Sequence, residues 1–163
     1  MLAVSNTSPI SNLAAIGHLG LLKSQFSELW IPDAVFVELT AHPDPIAQTT
    51  IQAAIRDQLI RIGTPRDSGL LRLLLLQLHR GEAEEIALTT DIDAEIVLID
   101  EQEGRQLASK TGLAVTGVLG VLLRAKRAGE IAAIKPEIAL LRHKSHFVVS
   151  PALEGNILSA AGE

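Results

Sequence analysis

Four side chains of this 163-residue sequence have the type and the placement to do chemistry: Asn6 in "VSNTS", Glu38 in "FVELT", Glu82 in "RGEAEE" and Asp100 in "VLIDE". Asn6 and Asp100 each follow a short apolar run that reads as a strand. In open parallel sheets, ligands collect in the crevice beyond the carboxyl ends of strands, so polar residues at those positions are candidates. Glu38 lies on a helix starting at Asp33, and at about 100° per residue it projects between Ala34 and Val35, on the apolar side. A carboxylate aimed at the core is costly unless something compensates it. Glu82 falls in the first turn of the helix after Gly81, where the helix dipole favours an anion. Glu85 lies opposite the inward stripe of Ala83, Ile86 and Ala87, so solvation is expected for it. Clustered hard oxygen ligands hold Mg²⁺ or Mn²⁺. The alternative for each residue taken alone is an ordinary cap or loop acid.

The elements that must position these groups alternate. "LAVS", "ELWIP", "LIRIG", "AEIVLID", "LAV" and "HFVVS" read as strands. Between them, "NLAAIGHLGLL", "DAVFVELTA", a stretch ending near Gln58, "LLRLLLLQLHRG", "EAEEIALTTD", "EQEGRQLASKTG", "TGVLGVLLRAKRAG", Pro136 to Lys144 and Pro151 to Ala160 carry helical patterns. Asp33 is a candidate cap, the leucine-rich helix before Gly81 should be largely buried, and Gly112 and Gly129 mark helix ends. Strands separated by helices predict an α/β fold with a mostly parallel sheet covered on both faces, in one domain spanning residues 1–163.

Composition narrows the chemistry further. The chain has no cysteine, which excludes disulfides, thiolate zinc sites and cysteine nucleophiles. Aromatic residues make up 2% with no tyrosine, so stacking platforms are few. A net charge of −5 argues against a polyanion binder that relies on a basic surface, while leaving local patches open. No run approaches eighteen apolar residues and the amino terminus lacks the pattern of a secretion signal, so no membrane association and a cytoplasmic location are expected.

The remaining polar features each admit two readings. Arg124, Lys126 and Arg127 end a helix, where cations suit the dipole and could equally meet phosphate. Arg105 could steer a phosphate or pair with Glu101. His143 and His146 lack an evident third zinc ligand. Asp91 and Asp93 read as turn residues, and Thr116-Gly117 as a helix cap.

Six pieces in order, "VSNTSPISNLAAIG", "IPDAVFVELT", "RGEAEEIAL", "VLIDEQEGRQLA", "VTGVLGVLLRAKRAG" and "FVVSPALEGNILSAAGE", resemble PIN-domain proteins over nearly the whole chain. The branch concerned is the prokaryotic one similar to toxins of type II toxin–antitoxin pairs. The resemblance implies a three-layer α/β/α fold and an acidic pocket for one or two divalent metals, Mg²⁺ or Mn²⁺. It implies RNA hydrolysis in that pocket, a cognate antitoxin and a homodimer. By position, the family's acids fall on Asn6, Glu38, Glu82 and Asp100, with Thr7 or Ser8 as a supporting hydroxyl and Glu84 as a second acid of this branch. Asn6 stands where the wider family most often has Asp. A degenerate module that binds RNA or protein without catalysis is therefore the alternative, and a phosphoryl-accepting receiver domain is disfavoured because "SNTS" offers no paired acids.

Overall fold

Runs in which nearly every residue is apolar make strands buried on both faces. In the computed structural model, which describes residues 1–163, five strands form one sheet, the central ones of this kind and the edge strands partly exposed. They are β1 (Leu2–Ser5), β2 (Glu28–Pro32), β3 (Ile60–Gly63), β4 (Ile96–Leu98) and β5 (Ala114–Thr116), all parallel, in the order β3-β2-β1-β4-β5. The chain order therefore switches direction between β1 and β4, where Ser5 pairs with Leu98. That switch point is where an open parallel sheet leaves a crevice.

Ten helices surround the sheet: α1 (Thr7–Ala15), α2 (Leu21–Gln25), α3 (Asp33–Thr40), α4 (Pro45–Arg56), α5 (Gly69–Leu74), α6 (Arg80–Asp91), α7 (Gln102–Lys110), α8 (Val118–Arg127), α9 (Lys135–Ser145) and α10 (Pro151–Ala161). Alternation along the strands sorts the core into two layers. Ala3, Leu29, Ile31, Ile96 and Leu98 pack with α1, α4, α8 and α9, whereas Val97 and Ile99 pack with α5, α6 and α7. The fold is the expected three-layer α/β/α sandwich.

Several local expectations change. The helix read across "NLAAIGHLGLL" divides into α1 and α2, because Gly17 adopts φ +76 and ends the first. Asp33 does not cap α3; Pro32 occupies that position, and Asp33 accepts a hydrogen bond from Thr64 Oγ1 at 2.6 Å. The leucine-rich helix stops at Leu74, leaving Leu73 62% and Leu76 79% exposed, since only one side of this short segment reaches α6. "HFVVS" forms no strand; it crosses from α9 to α10 as irregular chain.

The carboxyl terminus is fastened by its last side chain. Glu163 accepts hydrogen bonds from the backbone N–H groups of Ile134 (2.6 Å) and Lys135 (3.0 Å), at the start of α9. These donors hold its carboxyl below the usual value. Arg142 pairs with Glu154 between the same two helices. Glu163→Ala removes a cap-like acceptor and is expected to lower the denaturation midpoint. Urea denaturation checks this, and an unchanged midpoint would show that the contact contributes nothing.

Candidate active site

The switch-point crevice holds a cavity of about 180 Å³ lined by Asn6, Thr7, Ser8, Glu38, His79, Gly81, Glu82 and Glu101, with no hydrophobic side chain among them. Each comes from an element end. Residues 6–8 follow β1, Glu38 projects from α3, residues 79–82 open α6, and Glu101 follows β4. Bare glycines let the carboxylates lie close to backbone. A Cβ on Gly81 would meet Glu38 Oε1 at 3.2 Å, and one on Gly104 would meet Ile99 Cγ2 at 3.0 Å and Glu82 Oε1 at 3.3 Å.

Each carboxylate has its own donor. Thr7 Oγ1 donates to Glu38 Oε2. Glu101 receives Asn6 Nδ2 on Oε2 at 3.0 Å and the Ser8 hydroxyl on Oε1. Glu82 Oε2 accepts from the His79 backbone N–H at 3.3 Å. Asn6 is 4% exposed and both ends of its amide are used, because Oδ1 also accepts from Ser8 N–H at 3.2 Å and so caps α1. That orientation alone satisfies a backbone donor and a carboxylate at once. Held apart in this way, no three acidic or histidine side chains converge on a single point.

Glu85, expected in solvent, is 0% exposed. The 100° construction places it opposite the sheet-facing stripe, but α6 runs against β1, β2 and β4 and is flanked by α3 and α5, so more than one side is covered. Neither of its oxygens has a hydrogen-bond partner. Burial first, then the negative charge of Glu101 and Glu82, pushes its carboxyl well above the usual range, and the Asn6 backbone amide offsets this only in part. Glu82 shifts upward for the same two reasons, burial and Glu101. Burial and the neighbouring carboxylates therefore favour the neutral, protonated form of Glu85.

Of the residues singled out in the sequence, the structure brings Asn6, Thr7, Ser8, Glu38 and Glu82 into one cavity. Asp100 turns the other way. Its Oδ1 accepts from Val118 N–H at 2.8 Å, capping α8 in place of Thr116, and its Oδ2 accepts from Asn12 Nδ2 at 3.1 Å. Glu84 is buried and ties α6 to α3, accepting from Ala34 N–H at 3.1 Å and Arg80 Nε at 2.6 Å. Arg105 does not pair with Glu101; its Nη1 donates to Ile99 O at 2.7 Å. Arg124 lies over Phe26 and near Thr116, Lys126 reaches Ala132 O, and Arg127 reaches Ala160 O, all away from the cavity. Sequence reasoning missed Glu101, His79 and Glu85. Glu101 could have been found, since it too follows the strand that ends before Asp100.

Burial raises the Asp100 carboxyl from 3.8 to about 6, against the lowering effect of its donors Val118 and Asn12. A carboxyl raised on folding stabilises the protein while protonated. That contribution is whole below about pH 3.8 and is lost as pH rises through about 6. At about 1.4 kcal/mol per pH unit the loss is on the order of 3 kcal/mol. Metal-free wild type is expected to lose more stability than Asp100→Asn between pH 4 and 7. Parallel curves for the two proteins in urea denaturation would refute the assignment.

An α/β/α sandwich with a carboxylate- and hydroxyl-lined cavity at the switch point of its parallel sheet defines a PIN-like domain. The chain belongs to the PIN-domain family: a family model described as PIN domain, DUF3368, matches residues 2–163. No curated protein matches the chain. Among solved structures it is similar to a PilT N-terminus domain protein from the hyperthermophilic archaeon Sulfolobus solfataricus P2. The two are 16% identical with a TM-score of 0.53, over 77% of this chain and 93% of that one, a likeness of fold. PIN domains are usually nucleases and generally use divalent metal ions. No helix is long and apolar enough to cross a membrane.

Proposed function

We propose that the protein is a metal-dependent endoribonuclease using Mg²⁺ or Mn²⁺. The observation that carries this reading is the all-polar cavity at the switch point, lined by the carboxylates of Glu38, Glu82 and Glu101. Oxygen-only donors of this kind suit a hard cation. Glu38, Glu82 and Glu101 line the cavity and would hold it once their carboxylates turn inward from the Asn6, Thr7 and Ser8 donors that otherwise keep them apart. When bound, the cation supplies Lewis-acid chemistry, drawing charge from the scissile phosphate and acidifying water. In that hydrolysis water oxygen would bond to phosphorus and lose a proton as the P–O3′ bond breaks, and the 3′ oxygen would take up a proton, leaving a 5′-phosphate and a 3′-hydroxyl. His79, the one basic side chain lining the cavity, is placed to meet a phosphate oxygen.

The sequence resemblance adds a toxin role with a cognate antitoxin, and the exposed Leu73 and Leu76 support a homodimer or other protein contact on that face. The deciding experiment is cleavage of a labelled RNA by purified protein with Mn²⁺ and with EDTA. Metal-dependent internal cuts are expected. Intact RNA under both conditions, together with no heat of Mn²⁺ binding, would leave a binding module without catalysis.

A further inference from the structure

Residues 100 and 101 face opposite ways. Glu101 lines the acidic cavity, whereas Asp100 lines a second and larger cavity of about 760 Å³ between the start of α8, the 147–150 crossing and α10. Its floor is apolar, with Leu119, Phe147 and Val149, and its edge carries Asp100, Gln102, Arg105, Thr116 and Leu153. The volume lies within the roughly 300–1,000 Å³ typical of small-ligand sites, and an apolar floor with a few fixed polar groups is their usual lining. Gly117 lets the start of α8 pack directly on the 99–100 turn, since a Cβ there would collide with Asp100 Oδ1 and meet Ile99 O at 3.0 Å. Arg105 is anchored through Nη1 to Ile99 O, which fixes its guanidinium at the rim.

We infer that this cavity is a nucleobase subsite for an unpaired nucleotide of an RNA strand. The inference rests on the nuclease reading for its strand but not for its binding chemistry. A backbone phosphate at the acidic cavity brings the neighbouring nucleoside over the 100–101 step. The apolar floor covers the faces of the base. The carboxylate of Asp100, the amide of Gln102 and the hydroxyl of Thr116 offer both donors and acceptors to its edge, which only an unpaired base has free. Arg105 supplies the positive charge that a flanking phosphate requires. A duplex, with its base edges paired and stacked, cannot enter.

The test is methyl NMR in EDTA, with no metal and no turnover. Each of the four ribonucleoside 5′-monophosphates is titrated, and ribose 5-phosphate is the control. At least one nucleotide is expected to shift the methyls of Leu119, Val149 and Leu153, and ribose 5-phosphate is not. Arg105→Gln should weaken that nucleotide by about tenfold, the effect of losing one charged hydrogen bond. Leu153→Glu, at an exposed rim position, should abolish the response while leaving the rest of the spectrum native. No shift with any nucleotide, or an equal response to ribose 5-phosphate, overturns the subsite. Nucleotide binding without Mn²⁺-dependent cleavage would remove the nuclease reading and keep the subsite; cleavage with a silent groove would do the reverse.

Discussion

Glu101→Gln is expected to lower metal-dependent RNA cleavage by roughly 10²–10³-fold, the loss typical when one electrostatic group is removed from a preorganised site. Both oxygens of Glu101 are claimed by donors, the Asn6 amide and the Ser8 hydroxyl, and the carboxylate faces the cavity beside Glu82. Gln keeps the shape but removes the charge and turns an N–H₂ group toward one of those donors. Glu38→Gln should act similarly, since Glu38 lines the same cavity with Thr7 as its donor. Asp100→Asn is the informative comparison. The family resemblance gives Asp100 the charged role, whereas here it caps α8 and leans on Asn12. Cleavage and Mn²⁺ binding heat should therefore fall further in Glu101→Gln than in Asp100→Asn. The opposite ranking would return the role to Asp100 and require the 100–101 step to rearrange when metal arrives.

Asn6→Asp should move stability and metal affinity in opposite directions. Asn6 Nδ2 sits 3.0 Å from Glu101 Oε2, and an aspartate would put a second negative oxygen there. At an effective dielectric near 20, two charges that close repel by about 5 kcal/mol before relaxation and solvent reduce it. In EDTA the variant should melt well below wild type. Adding Mn²⁺ should recover more of the loss than it gives wild type, because a cation relieves the repulsion and gains a charged ligand. Calorimetry should show tighter binding in the variant. Equal melting temperatures in EDTA would mean that the amide does not hold Glu101, and equal Mn²⁺ affinities would place residue 6 outside the cation site.

The buried carboxyl of Glu85 shows where periodicity fails. A helical wheel assumes one inward face, which holds for a helix lying on the outside of a sheet. Here α6 lies against three strands and between α3 and α5, so a position read as outward is 0% exposed. The leucine-rich segment fails in the other direction. Its composition implied burial, yet the helix ends after six residues and Leu76 faces solvent.

From the chain alone came the alternation of strands and helices, the parallel sheet covered on both faces, the helix ends at Gly112 and Gly129, and the grouping of Asn6, Glu38 and Glu82. The first three depend on local periodicity and glycine at positive φ, which act over a few neighbouring residues, whereas the grouping of Asn6, Glu38 and Glu82 rests on strand-end and helix-face placement together with the family resemblance. Only the tertiary structure showed that Glu101 faces the acidic cavity while Asp100 caps α8, that Arg105, Arg124, Lys126 and Arg127 lie outside that cavity, and that Glu85 is enclosed. Adjacent residues after a strand point to opposite sides, and which side faces the crevice depends on how α8 docks across the sheet: its first N–H, at Val118, captures Asp100 and leaves Glu101 to the cavity.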